Sequence, residues 1–359
     1  MQKWKFIDRV LVGMVGMCLL LFVNMGIVFA NPGGSVMQQT QGHGQEFWME
    51  SSPSIQAMAV SQEGDVFAGS FGMGIFRSTN RGETWTSVNK GLTDTFILTL
   101  VIDHEQTMYV GTVRGGIFKS SDKGNHWISM NDGLKQVEIK SLLAHKTGIY
   151  AGTGKGVYKW NTNQEKWVVV AKGLEQVLVS SLVFMKDHML LAGTAGKGLF
   201  RLNIEDTDHP TWDSLDGKMI DAKERLIHRF IRKVAIGADH QIFVGTQDGG
   251  IFQSVDSGKS WKPFGRHLPN DSIRSILATS GDLLVGTGRG IYRNSEARRW
   301  KSSNEGLTEL SIQVLIDSGK GQMYVGTSSG AFRSDDNGRH WVNISEGFGR
   351  PPKGLRPYF

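Results

Sequence analysis

The residues of this sequence that could carry chemistry recur in one short motif, Ser-x-Asp/Asn-x-Gly-x-x-Trp. Each copy offers a hydroxyl and a carboxylate or amide two residues apart. Four copies follow the motif: Ser78, Asn80, Gly82 and Trp85; Ser120, Asp122, Gly124 and Trp127; Ser254, Asp256, Gly258 and Trp261; and Ser334, Asp336, Gly338 and Trp341. In a turn, Asp or Asn bonds to nearby backbone amides, Gly supplies a positive φ, and Trp buries its indole. We therefore predict a structural role for these residues and no catalytic one.

Tyrosine and histidine, which often act in catalysis or metal binding, form no separate constellation. Five of the six tyrosines occupy repeated strand positions, and only Tyr358 lies outside the repeats. The five are Tyr109, Tyr150, Tyr158, Tyr292 and Tyr324. The ten histidines show no spacing typical of metal ligands. We expect no catalytic residue, no metal site and no cofactor.

The motif belongs to a longer repeat in which a hydrophobic strand ends in Gly-Thr or Gly-Ser. The glycines of this pair are Gly69, Gly111, Gly152, Gly193, Gly245, Gly286 and Gly326. The steps between them are 42, 41, 41, 52, 41 and 40 residues, the range of propeller blades. One unit predicts strands at 98–102, 108–112 and 116–119, and a fourth that begins at Trp127. We predict an all-β, seven-bladed β-propeller of four-stranded antiparallel blades over residues 47–348.

Both ends of the chain differ from the repeats. Residues 1–30 contain basic residues, an apolar run and small residues before a cleavage site, as secretory signal peptides do. The run is also long enough for an uncleaved membrane anchor. We interpret residues 31–46 as a flexible linker and residues 349–359 as a basic, proline-rich tail. Phe47-Trp48 is a candidate extra strand that could close the ring against the last blade.

Charge and cysteine content narrow the function classes. The net charge is +6, and the first thirty residues hold three basic residues and one acidic residue, so the remainder carries +4. This excess is too small to indicate binding to nucleic acid or to a membrane surface. The single cysteine, Cys18, lies in the apolar run. The processed chain would have none, which suits an exported, periplasmic or extracellular monomer.

The four motifs resemble the Asp-box, or bacterial neuraminidase repeat, of sialidases, xyloglucanases, sortilin-type receptors and photosystem II assembly-factor propellers. The repeated Tyr-Val-Gly-Thr and Gly-Ile-Phe segments are also similar to the sensor propellers of two-component regulators. Together these resemblances cover about residues 47–348 and imply a sialidase-like propeller fold. They imply no particular activity.

A sialidase, as the resemblance implies it, would need a tyrosine nucleophile paired with a glutamate, an acid/base aspartate and three arginines. The tyrosines here sit in strand positions or in the tail, and the Phe/Tyr-Arg-Ile-Pro motif of sialidases is absent. Spacing does not exclude a pair of catalytic carboxylates like that of xyloglucanases. An enzyme therefore remains the less favoured alternative.

The turns between second and third strands carry the clearest departure from the repeat. Four of the seven turns place a basic residue at comparable positions: Arg114, Lys155, Lys197 and Arg289. Such a set would focus positive potential on one face of the ring and favour an acidic partner. Ordinary solvated turn residues are the alternative interpretation.

The second departure is the connection from Trp212 to Ile231, which takes nineteen residues where its counterparts take twelve. A short helix there would expose Lys223, Arg225, His228 and Arg229 on the same face. The alternative is a tolerated surface loop.

Our leading hypothesis is an exported, non-enzymatic propeller of the assembly-factor, receptor or sensor type. Its basic face would bind a protein or an anionic glycan through Arg114, Lys155, Lys197, Arg289 and the insert. A carbohydrate-active hydrolase and an adhesive structural module remain as alternatives.

Overall fold

The computed structural model describes residues 52–186, 188–206, 208, 210–215, 230–265, 268, 272–279, 281–294, 299–319 and 321–349. These residues form seven four-stranded antiparallel sheets, each built from strands that are consecutive in the chain. The predicted all-β, seven-bladed propeller is thereby confirmed. The N-terminal segments 1–30 and 31–46, the Phe47-Trp48 strand and the tail beyond residue 349 lie outside the described residues.

Each blade contributes four strands, innermost first. The strands of blades 1 to 4 are Ile55–Val60, Val66–Ser70, Gly74–Ser78 and Thr86–Ser87 (β1–β4); Ile97–Ile102, Met108–Thr112, Ile117–Ser120 and Ile128–Ser129 (β5–β8); Ile139–His145, Gly148–Thr153, Gly156–Asn161 and Lys166–Val169 (β9–β12); and Val179–Met185, Met189–Thr194, Gly198–Asn203 and Asp213–Ser214 (β13–β16). Those of blades 5 to 7 are Ile231–Ile236, Ile242–Thr246, Ile251–Ser254 and Lys262–Pro263 (β17–β20); Ile273–Ala278, Leu283–Thr287, Gly290–Asn294 and Trp300–Ser302 (β21–β24); and Ile312–Asp317, Met323–Thr327, Ala331–Ser334 and Val342–Asn343 (β25–β28). In the described part of the chain, the one helical segment is a 3₁₀ turn, Ala238–His240. No helix there has the length and apolar character needed to cross a bilayer.

The hydrophobic core is divided into seven layers, one between each pair of neighbouring blades. The layer between blades 1 and 2, for example, joins Ile75 and Val88 to Ile97, Val110 and Trp127. Four of the seven second strands, β18 among them, are buried along their whole length, because a blade covers each face, whereas short fourth strands such as β20 are exposed. The inner strands contact one another in chain order, and the last of them contacts the first, so the ring is closed.

The glycine of each Gly-Thr or Gly-Ser pair gives the next blade room to approach. A Cβ atom at any of these seven glycines would lie under 3.0 Å from the first residue of the next inner strand. The seven facing residues are Ile97, Ile139, Val179, Ile231, Ile273, Ile312 and, across the ring closure, Ile55. None of these glycines has a positive φ, so space rather than backbone conformation requires glycine there.

In five of the seven blades the tryptophan of the repeat bonds to the blade before it. The Trp127 indole N–H donates to the Val88 carbonyl at 2.7 Å, and those of Trp167, Trp261 and Trp341 make the same bond to the preceding blade. Trp212 and Trp300, in units without the full motif, are only half-buried, and their indole nitrogens have no hydrogen-bond partner among the described residues. Blades 4 and 6 nevertheless keep all four strands.

Blades 7 and 1 close the ring by the same contact. The Trp85 indole N–H donates to the Ile344 carbonyl at 2.7 Å, and its ring stacks on Phe348 with centroids 4.6 Å apart. The Gly330 amide also donates to the Pro53 carbonyl at 2.8 Å. Blade 7 contains four consecutive strands of its own, so closure within the described residues uses side chains and turns.

The Ser-x-Asp/Asn-x-Gly-x-x-Trp turns are closed by their own polar groups. In blade 2 the Ser120 hydroxyl donates to Asp122 at 2.8 Å and accepts the Gly124 N–H at 2.9 Å. The Asp122 carboxylate accepts the His126 N–H at 2.9 Å, and Gly124 has a φ of 84°. In blade 5 the hydroxyl and N–H of Ser260 bond to Asp256 and lower the pKa of this carboxyl to about 2.

Gly286→Ala is expected to lower the free energy of unfolding by about 1–3 kcal/mol, because the added methyl overlaps Ile312. Urea unfolding followed by tryptophan fluorescence measures the loss. Gly281→Ala in the same blade is the matched control, since nothing lies within 4 Å of its added Cβ. We expect the control to stay within about 0.5 kcal/mol of wild type. Equal losses in the two variants would contradict this account.

Asp256→Ala should show a stability deficit that depends on pH. The folded-state pKa of Asp256 lies below its ordinary value of 3.8, so its stabilising effect is present above pH 3.8 and is lost as pH falls towards 2. Unfolding curves across this range should therefore converge for wild type and Asp256→Ala at low pH. Asp256→Asn, which mimics Asn80 of blade 1, should differ from Asp256→Ala by an amount that does not change with pH. A deficit of Asp256→Ala that persists unchanged at pH 2 would refute this role.

Candidate binding face

The second-to-third turns and the connections between blades lie on the same face of the ring, here called the upper face. In blade 1 the Phe71 N–H, just after the second strand, donates to the Ser54 carbonyl, just before the first strand. Val113 bonds to Phe96 in blade 2 in the same way, and blades 4, 5 and 7 repeat the bond. The first-to-second and third-to-fourth turns form the opposite, lower face.

A buried hydroxyl makes each upper turn rigid. Thr112 is fully buried, and its hydroxyl donates to the Gly116 carbonyl at 3.0 Å while accepting the Gly115 N–H at 2.9 Å. The Asn131 amide oxygen accepts the Ile117 N–H at 2.7 Å from the adjoining connection. Every blade repeats the hydroxyl contact, made by Ser70, Thr112, Thr153, Thr194, Thr246, Thr287 and Thr327. The turns therefore present their outermost side chains from fixed positions.

Arg114 lies beside an exposed aromatic pair. Its backbone N–H donates to the Asp94 carboxylate at 2.6 Å, and its guanidinium carbon lies 5.1 Å from the centre of the Phe96 ring. Phe96 makes an edge-to-face contact with Phe71, whose side chain is 48% exposed. The buried Asp94 carboxylate is thus used to hold the turn, and the Arg114 side chain combines a cation with an apolar surface.

The other three predicted basic residues occupy the equivalent turns. The Lys155 ammonium donates to the Gln176 side chain at 2.6 Å, while Lys197 and Arg289 are exposed. Within the described residues none of these three, nor Arg114, forms an ion pair. Arg114, Lys155 and Lys197 lie on consecutive blades 2, 3 and 4, and Arg289 is separated from them on blade 6.

The insert after blade 4 lies outside the described residues from 216 to 229, and with it Lys223, Arg225 and Arg229. Phe230, the next residue in the chain, is 47% exposed. The Phe230 carbonyl accepts the Gln247 N–H on the upper face. Phe230, where the described chain resumes, therefore lies on the face that carries the basic turns.

Sequence reasoning missed the wall of the central channel. The second residue of every inner strand is bulged out of the pairing with its neighbour, which frees its side chain from the sheet. The seven bulged residues are Gln56, Leu98, Lys140, Ser180, Arg232, Arg274 and Gln313. Since the inner strands begin at the blade connections, these residues lie near the upper end of the channel.

Two of the bulged cations differ in their surroundings. Lys140 pairs with Glu138 at 2.6 Å. Arg274 donates to the Ser311 hydroxyl at 2.7 Å, and burial, followed by the charge of Arg232, lowers the pKa of its guanidinium. Blades 5 and 6 thus place two cations next to each other at equivalent positions.

In four of the seven blades the residue after the bulge carries a hydroxyl that bonds to the next blade. At the third position of the inner strand, Thr99, Ser141, Ser181 and Ser275 each accept the backbone N–H of the fourth residue of the next inner strand, at 3.0 to 3.3 Å. Blade 5 has Lys233 at this position, and blades 1 and 7 have Ala57 and Val314. Comparing the third residues of the seven predicted inner strands would have singled out this lysine.

The lower face has a cleft of about 440 Å³ between blades 2 and 3, lined in part by Asp103, Tyr109, Lys159 and Trp160. Asp103 accepts the Tyr109 hydroxyl at 3.2 Å and two backbone N–H groups of its own turn. Burial and the Asp103 charge raise the pKa of Tyr109, which keeps its phenol neutral. The carboxylate and phenol of this cleft thus satisfy each other.

No protein-family model matches the sequence, and no curated protein matches it. Solved structures do share its fold. The extracellular domain of a hybrid two component system from B. thetaiotaomicron matches with a TM-score of 0.61 at 14% identity, over 79% of this chain and 40% of that one. PorZ, a surface component of the type-IX secretion system of Porphyromonas gingivalis, matches with 0.60 at 13%, over 82% and 38%. The GH74 enzyme of Niastella koreensis matches with 0.61 at 15%, over 83% and 55%.

The feature shared with these proteins is the β-propeller. This chain spans from about two fifths to just over half of their length. At 13 to 15% identity the likeness is one of fold, because one architecture supports many functions.

Proposed function

We propose that this protein is an exported binding propeller whose upper face recognises an acidic macromolecular partner. The observation that carries the proposal is the set of four turn cations, Arg114, Lys155, Lys197 and Arg289, on one face without a described ion pair. Cations on rigid turns that have no acidic partner among the described residues attract an anionic surface at little cost in conformational entropy. The Phe71 and Phe96 rings beside Arg114 add apolar contact area of the kind that anchors interfaces.

Export is supported by the N-terminal sequence pattern and by the kinds of protein that share the fold. Basic residues followed by an apolar run and Val28-Phe29-Ala30 are typical of a secretory signal. Two of the similar structures are an extracellular domain and a bacterial surface component. The Asp-box resemblance of the four motif turns supports a propeller of the same broad type, and their hydrogen bonds fit a structural role.

Reversing the four turn charges to Glu should weaken binding of the full chain to poly-glutamate by at least about tenfold, because the electrostatic attraction becomes repulsion. Binding is measured by biolayer interferometry at two salt concentrations, with heparin as a second probe that represents an anionic glycan. Stronger binding to one probe separates an acidic protein from a glycan as the partner class.

The matched control replaces four other lysines by glutamate. These lysines are exposed on the third and fourth strands near the outer rim: Lys119, Lys166, Lys262 and Lys301. It changes the net charge by the same amount but leaves the upper face intact. We expect its affinity to stay within about threefold of wild type, since distant charges are screened. Equal losses in the two quadruple variants would show that net charge alone, and not the upper face, governs binding.

A further inference from the structure

Lys233 interrupts a structural pattern that its neighbours keep. In blades 4 and 6 the equivalent residues, Ser181 and Ser275, accept a backbone N–H of the next blade at 3.0 Å. Lysine has no acceptor atom, so it cannot make this bond to Ile276 of blade 6. The exchange removes an inter-blade hydrogen bond and adds a charge, and neither change stabilises the ring.

Lys233 belongs to the innermost strand of blade 5, which lines the channel, and it is exposed. The surrounding protein nevertheless desolvates its ammonium and lowers its pKa. No hydrogen bond or ion pair to Lys233 is present among the described residues.

Two further cations, Arg232 and Arg274, lie on the same inner strand as Lys233 and on the neighbouring one. Arg232 is the bulged residue just before Lys233, and Arg274 is the equivalent bulged residue of blade 6. Their charges are close enough for Arg232 to lower the pKa of Arg274. The acidic side chain that acts on Arg274 is Glu309, whose carboxylate also accepts the Ser311 N–H at 2.7 Å.

We propose that Arg232, Lys233 and Arg274 form an anion-binding site at the upper end of the channel, which takes a single carboxylate or phosphate group. Two guanidinium groups can each donate paired N–H bonds to the oxygens of such a group, and the ammonium adds a point charge. A bound anion would offset the cost of desolvating the Lys233 ammonium. This site rests on the proposed function, because the bound carboxylate or phosphate would belong to the acidic partner.

The site predicts opposite effects on stability and on binding. Lys233→Ser restores the residue found in blades 4 and 6, so without added anion it should raise the Tm by about 2 °C. In wild type, sodium phosphate or sodium malonate at matched ionic strength should raise the Tm further in a saturable way. In Lys233→Ser this rise should be lost, with an apparent Kd at least tenfold weaker by calorimetry.

Two further variants complete the test on the full chain. Arg232→Ser, which copies Ser180 of blade 4, should also weaken anion binding about tenfold without lowering the Tm. Lys140→Ser removes the paired channel lysine of blade 3 and should leave anion binding unchanged. Tighter binding of malonate than phosphate identifies a carboxylate as the preferred group, and the reverse identifies a phosphate.

The proposed site would be wrong if Lys233→Ser and Arg232→Ser bound the anion as tightly as wild type. It would also be wrong if Lys140→Ser lost as much anion affinity as those two variants. This outcome is distinguishable from failure of the proposed function. If the four turn reversals leave poly-glutamate binding unchanged while Lys233→Ser loses phosphate binding, the upper-face proposal fails and the channel site stands.

Discussion

The ring depends on the close approach of one glycine in each blade to the first residue of the next inner strand. A side chain at Gly69 would collide with Ile97, and six further glycines face an Ile or Val in the same way. The contact fixes the spacing between blades, and in five of the seven blades an indole bond to the preceding blade adds a second link. Because Gly326 faces Ile55, the same contact closes the ring that it builds. Closure is thus a consequence of the repeat itself.

Most polar side chains of the repeat form hydrogen bonds within the propeller itself. The hydroxyl of Thr112 closes the upper turn, and the carboxylate of Asp122 closes the third-to-fourth turn. Groups that satisfy one another in this way are not free to bind a ligand. Positions that depart from the repeat, such as Arg114 and Lys233, carry charged side chains that form no ion pair among the described residues. Local departures that cost stability are expected where a protein binds something.

The sequence pattern predicted the blades closely, because strand alternation and glycine spacing are local properties. The strand expected at 98–102 runs from Ile97 to Ile102, and the fourth strand starts one residue after Trp127. The upper turns with their basic residues also followed from spacing. The role of Gly69 could not be predicted, since it depends on a residue in the next blade. Lys233 was missed because its significance lies in a bond between blades, which no single repeat contains.

A double-mutant cycle on Gly69 and Ile97 tests whether direct contact between glycine and isoleucine sets the blade spacing. Gly69→Ala adds a methyl beside Ile97 Cγ2, and Ile97→Ala removes that atom. The free energies of unfolding of both single variants and of the double variant are measured by urea titration. We expect the double variant to lose less stability than the two single variants combined, by about 0.5–3 kcal/mol. Additive losses would show that the two residues are not in the contact on which the ring depends.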